Sequence, residues 1–149
     1  MHIDWADPEK ETEISLQFTF DYDVARHKED ACRYRMIFRM SARSNKECAV
    51  GLMLDAEIAG FFTLPKEMEA DKREYQIRVN GCAILYGVLR GQLALVTGSF
   101  PGGKFNLPSV MMQEVVETVE ERKRVWVQEL AKKTRNSTSR PKRKKKDSV

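Results

Sequence analysis

Two histidines in 149 residues leave little from which to build a general base, a catalytic triad or a metal site. His2 lies at the amino terminus and His27 in the charged turn Arg26-His27-Lys28-Glu29-Asp30, so both are expected at the surface. Cysteine is nearly as scarce: Cys32, Cys48 and Cys82 form no C-x-x-C pair and are odd in number, which fits a reducing compartment better than a disulfide framework. Their apolar neighbours make them small core hydrophobes, the common fate of a free cysteine, with a reactive thiol as the alternative. Long hydrophobic runs are missing too. The most apolar stretch, Ala83 to Val96, is broken by Arg90 and Gln92 and is shorter than the ~20 residues that cross a bilayer, so no membrane insertion is expected. The segment MHIDWADPEKE carries acids where a signal peptide needs bases and an apolar core, which points to a cytoplasmic protein.

One string invites a nucleotide-binding reading. Gly98-Ser99-Phe100-Pro101-Gly102-Gly103-Lys104-Phe105 satisfies G-x-x-x-x-G-K, but the next position needs a hydroxyl for Mg²⁺ and Phe105 has none. Such a loop should also follow a strand and open a helix, whereas here a helical pattern precedes it. Neighbouring carboxylates such as Glu120 and Glu121 sit on charged helical surface, where they serve solvation. No cofactor and no enzymatic activity are therefore expected.

The formal charge of +4 is unevenly spread. Residues 134–149 hold seven Lys or Arg and one Asp, a net +6, which leaves residues 1–133 at −2. A basic domain face for nucleic acid is not indicated; any nucleic acid would be held through the tail.

Between Glu13 and Phe20 apolar Ile14, Leu16, Phe18 and Phe20 alternate with Ser15, Gln17 and Thr19, the period of a strand with one buried face. Tyr34, Met36, Phe38, Met40 and Ala42 repeat it, with Arg33, Arg35, Arg39 and Arg43 on the wet side. After the turn Ser44-Asn45-Lys46, alternation returns from Cys48 to Ile58, and Gly60 predicts a bulge or bend that lets Phe61 and Phe62 reset the pattern. Short polar connections make this an antiparallel meander. Helical spacing then takes over from about Val79 to Val96, with Cys82, Tyr86, Leu89, Leu93 and Val96 on one stripe, and Gly87 and Gly91 leaving shallow spots for another backbone. A final helix is expected from an N-cap at Ser109 to about Lys133, supported by the pairs Glu120/Arg124 and Glu129/Lys133. The remainder, 134–149, has too few apolar groups to offset the entropy of ordering and is expected to be a disordered basic tail.

The stretch NGCAILYGVLRGQLALVTGSFPGGKFNL resembles the one by which the SecB family of protein-export chaperones is recognised: a long helix with a Tyr, then Gly-x-Phe-Pro, then Asn-Leu. The matching residues are Asn80, Ile84, Leu85, Tyr86, Gly98, Phe100, Pro101, Asn106 and Leu107. Upstream, Ala59 to Leu64 is similar to that family's Gly-Gly-Ile-Phe strand end, and Asp4-Trp5 to the Asp-Trp that opens its crossover segment. Together these cover roughly residues 4–117, within a chaperone domain spanning 1–133.

The resemblance implies an α+β protomer, a four-stranded antiparallel meander packed with two helices. The sheet is three-stranded if the family's first strand, which has no counterpart before Asp4, is absent. It also implies a dimer of dimers that binds unfolded polypeptides without ATP and passes preproteins to the ATPase SecA. Client segments would lie in a groove whose lining matches Trp5, Ile14, Leu16, Phe18, Met112, Val115 and Val116, with Met111 a further adaptable methionine beside it. Tyr86, Leu89 and Leu93 fall on the helix that would join subunits, and Met53 and Asp55 on a SecA-docking position. Without the acidic first strand, a chaperone dedicated to one client, such as the antitoxin of a toxin–antitoxin pair, is an alternative. The basic tail departs from the family's acidic end, and it fits nucleic acid, an anionic membrane, acidic clients or plain solubilisation; a nucleic-acid-associated regulatory protein acting through this tail is a further alternative.

Overall fold

The computed structural model describes residues 16–44, 53–99 and 105–138. Three strands, β1 (Leu16–Arg26), β2 (Arg33–Ser44) and β3 (Met53–Thr63), form one antiparallel sheet in the order β1-β2-β3. The β1–β2 turn is built by its polar residues: His27 donates its backbone N–H to the Arg33 carbonyl at 2.8 Å, and the Asp30 carboxylate accepts from the Cys32 N–H at 2.9 Å.

Alternation gives the sheet two unlike faces. Phe38, Met36, Met40 and Ala42 point inward and are fully buried, while Arg35 and Arg43 are exposed on the other side. The outer face is laced by charge. Arg39 reaches Asp23 at 2.7 Å and Glu57 at 2.8 Å across both neighbouring strands, and Arg43 grips both oxygens of Asp55 at 2.8 and 2.9 Å. These pairs are exposed and screened by solvent, so they serve register more than stability.

The bulge expected at Gly60 is not formed. Pairing runs unbroken through Met36↔Gly60 and Arg35↔Phe61, so Phe62 stays on the inner face and Phe61 on the outer. Gly60 has a different role. A Cβ there would stand 2.7 Å from Leu85 Cδ2, so the missing side chain is what lets a helix cross the sheet closely.

That helix begins nine residues earlier than its apolar period predicts. α1 (Ala70–Gln76) runs through a π-helical turn (Ile77–Gly81) into α2 (Cys82–Thr97), a continuous 28-residue helix. α1 buries no residue and so carries no apolar period; its charges support it locally, with Arg78 bonded to Glu74 at 3.0 Å. The extra residue of the π turn seats Gly81 against Met36, whose sulfur would lie 3.1 Å from a Cβ at that position. By length and composition this helix contains a stretch apolar enough to cross a membrane. One stripe of it is instead core: Ile77, Cys82, Leu85, Tyr86 and Leu89 lie buried against the sheet. Burying side chains of this size is worth roughly 1.5–3 kcal/mol each.

Among the cysteines, Cys32 and Cys82 are buried thiols; Cys48 lies outside the described residues. The last helix, α3 (Met112–Thr138), starts three residues after Ser109 and continues five beyond Lys133. Ser109 lies outside the first turn of this helix. Its Oγ accepts from Arg90 Nη1 at 3.3 Å and helps tether the preceding loop to α2.

Candidate functional site

β1 has one free edge among the described residues, and α3 passes beside it. Between them lies an open groove of about 560 Å³ whose apolar walls are Phe18, Phe20, Val110, Met111, Val115 and Val119, with Thr19, Glu114, Thr118 and Arg122 at the rim.

The floor is an aromatic stack continuous with the core. Phe18 and Phe20 stack at 6.4 Å between ring centroids, and Phe20 meets Phe38 at 6.1 Å and Tyr86 edge-on at 5.9 Å. Tyr86 also fixes the far end. Its hydroxyl donates to the Pro108 carbonyl at 2.6 Å, and Thr97 Oγ1 accepts from the Phe105 N–H at 2.8 Å. With Leu107 buried beneath, these ties hold 105–111 against α2 and so position Val110 and Met111 at the groove's mouth. Rings and aliphatic chains make up somewhat more than half of the lining, and Thr19, Ser109, Glu114, Thr118 and Arg122 supply a polar remainder.

The opposite end is closed by two cations. Arg122 donates to the Phe20 carbonyl at 2.6 Å and Lys123 to the Tyr22 carbonyl, backed by Asp21 at 3.6 Å from each. The same backbone edge is shared by every second residue of a strand, so Leu16 and Phe18 present their peptide groups alongside Phe20 and Tyr22. Tyr22 OH donates to Glu120, and burial, then Glu120, push that phenol well above its ordinary value. Asp23 is held below the usual carboxylate range by Arg39. Beside these, burial pushes the Cys82 thiol up to about 12, so it is neutral and a poor nucleophile at ordinary pH.

The residues expected in a groove are sorted by this geometry. Phe18 and Val115 are half-buried on its walls, and Leu16 is half-buried at the start of β1. Met112 and Val116, in contrast, face the core at 8% and 6% exposure, because helical spacing turns them inward beside Val119. Their neighbours Met111, at 69% exposure, and Val115 take the groove positions. Trp5 and Ile14 lie outside the described residues. Tyr86 and Leu89 are likewise spent inside the protomer, and Leu93 packs half-buried against the same cluster. The face of α2 turned away from the sheet carries exposed Ile84, Val88, Leu95 and Val96, with open space over Gly87 and Gly91. Met53 and Asp55 are exposed on the outer sheet face, and Asp55 is engaged by Arg43.

Phe20, Val110 and Val119 were not singled out by sequence; Phe20 shares the strand period of Phe18, which is the signal that marks it. Residues 100–104 lie outside the described residues, and no group of metal-ligating side chains occurs among those described.

No protein-family model matches the chain. Uncharacterized protein MJ0357 of Methanocaldococcus jannaschii is 25% identical over 115 residues, covering 76% of this chain and 74% of that protein. Among solved structures, the Mycobacterium tuberculosis Rv1957 SecB-like chaperone, in complex with a ChAD peptide from the Rv1956 HigA1 antitoxin, is similar with a TM-score of 0.50 and 15% identity. That match covers 66% of this chain and 73% of the other. The likeness is one of fold: an α+β, SecB-like arrangement of an antiparallel sheet and helices.

Proposed function

We propose that this chain is an ATP-independent chaperone, a holdase that grips unfolded polypeptide segments in the groove between β1 and α3. The observation that carries the proposal is the groove's composition: an aromatic floor and an exposed, adaptable Met111 beside a free strand edge. An extended client places alternate apolar side chains on Phe18, Phe20 and Val115, while its backbone meets the open peptide groups of β1. Methionine repacks around many side-chain shapes at little cost, which suits clients of no fixed sequence. Release then follows from affinity alone.

The SecB-like fold of the Rv1957 structure, which holds an antitoxin peptide, supports polypeptide as the ligand. It also favours a second reading, a chaperone dedicated to one client such as an antitoxin. Export is a further extension of the proposal, in which Met53 and Asp55 meet SecA. The outward face of α2, Ile84 with Val88 and Leu95, is proposed as the surface on which copies assemble into a dimer and then a dimer of dimers, in the cytoplasm.

The test is suppression of aggregation of a denatured client by stoichiometric protein without nucleotide, compared with Phe18→Asp and Val115→Asp chains. Protection lost in both, with folding retained, supports the groove. Protection by neither the parent nor the variants ends the chaperone reading, and rescue of a single client among many selects the dedicated form.

A further inference from the structure

The apolar stripe that seats α3 on the body does not stop where the body does. Met112, Val116 and Val119 face the core, and Arg122 and Lys123 fasten the helix to β1. At helical spacing the same face continues to Trp126, Val127 and Leu130, which are 62%, 59% and 42% exposed. α3 is 27 residues, about 40 Å long, so this outer portion extends well past its anchor. On a helix otherwise rich in charge, an uncovered Trp with two aliphatic neighbours needs a partner to be anything but a liability.

Charge identifies the partner. From Arg124 to Lys146 the chain holds ten Lys or Arg and one acid, Glu129. Beginning at Arg122 the net charge to the end is +10, whereas residues 1–121 carry −6, so charge is strongly polarised along the chain. On the wheel, Arg124, Gln128 and Lys132 lie opposite Trp126 and Leu130, with Lys133 at the border of the apolar strip. A basic helix of this kind, with Leu130 at the centre of its apolar face and Trp126 at the edge beside Lys133, is suited to lie in the plane of an anionic bilayer, ring and aliphatic chains among the upper acyl groups and cations at the headgroups. Nucleic acid would satisfy the cations and stack the indole, yet it has no place for Val127 and Leu130. A second copy of this helix would bring like charges together.

We infer that the outer part of α3, Arg124 to Lys133, is a docking surface for an anionic lipid bilayer, through which the protein is held peripherally at a membrane. The acidic body, repelled by the same surface, is thereby directed away from the membrane and its groove left open. This surface differs from the client groove, and its test reads lipid rather than client.

The experiment is co-sedimentation of the full chain with vesicles of phosphatidylcholine alone or mixed with phosphatidylserine, at low salt and at ~0.5 M salt, where screening shortens the reach of charge to about 4 Å. Binding is expected only to the mixed vesicles and to be lost in high salt. In a Trp5→Phe chain, which leaves Trp126 as the sole indole, emission should shift to the blue on binding. Trp126→Glu with Leu130→Glu should lower partition about tenfold or more, and Lys132→Glu with Lys133→Glu roughly 10- to 100-fold, with client protection unchanged in both. Both pairs are on exposed helix, and retained circular dichroism excludes unfolding as the cause. No binding to the mixed vesicles overturns the inference. So does equal binding to neutral ones, a single-stranded oligonucleotide that competes the protein off the lipid, or a change in native mass on Trp126→Glu showing that copies had covered the stripe.

Discussion

Adjacent methionines at the start of α3 separate binding from folding. Met111 is 69% exposed at the groove's mouth, and Met112 is 8% exposed in the core. Full burial of a methionine side chain is worth ~1.5–3 kcal/mol, so a client that covers the exposed two-thirds of Met111 gains roughly 1–2 kcal/mol from it. Met111→Ala is therefore expected to weaken client affinity about 5- to 30-fold while changing unfolding free energy by no more than ~0.5 kcal/mol. Met112→Ala removes a buried side chain and leaves a cavity, which costs ~2–5 kcal/mol of stability. Affinity is read by anisotropy of a labelled unfolded peptide, and stability by urea melts at equal protein concentration. Should Met111→Ala bind as tightly as the parent, or should both variants lose affinity only in proportion to lost folding, the groove is not where clients sit.

Gly60→Val should destabilise by ~1–3 kcal/mol or more, because its branched side chain meets Leu85 where even a Cβ stands at 2.7 Å; a urea midpoint unchanged from the parent would show that α2 does not cross there. The Cys82 thiol, pushed up to about 12 from 9.0 by burial, ionises first in the unfolded chain. Unfolding therefore releases a proton above pH 9, and stability falls as pH rises, by up to ~1.4 kcal/mol per unit. Urea melts between pH 8 and 9.5 should show that slope in the parent and a much smaller one in Cys82→Ala, the remainder coming from the Tyr22 and Tyr86 phenols that burial also raises. In the acid direction Asp23, held low by Arg39, contributes stability that disappears as pH falls through its folded value; Asp23→Asn should blunt the acid limb of the same melts. Ile84→Glu with Val88→Glu should shift native mass towards the single protomer without loss of helix, and an unchanged mass would assign assembly to another face.

The strands were legible because a half-buried sheet must alternate, and the alternation of Phe18 and Phe20, Met36 and Phe38, and the four arginines of β2 read directly as two faces. α2 was legible for the same reason at its own period. α1 was not, since a helix that buries nothing leaves no apolar pattern and is held by propensity and by the helix it leads into. The bulge assigned to Gly60 failed because a glycine in a strand has two meanings, extra residue or close approach, and only the neighbour across the core, Leu85, distinguishes them.

The sequence by itself determined the α+β class, the antiparallel meander and the polarity of charge along the chain, each a property of composition or local period. Tertiary structure decided which of two adjacent methionines lines a groove, which stripe of α2 is consumed inside the protomer, and that the apolar face of α3 outruns the body it seats upon. The reason is the same in all three: an apolar residue that covers a neighbour and one that awaits a partner have identical chemistry, and only the presence of the covering atoms tells them apart.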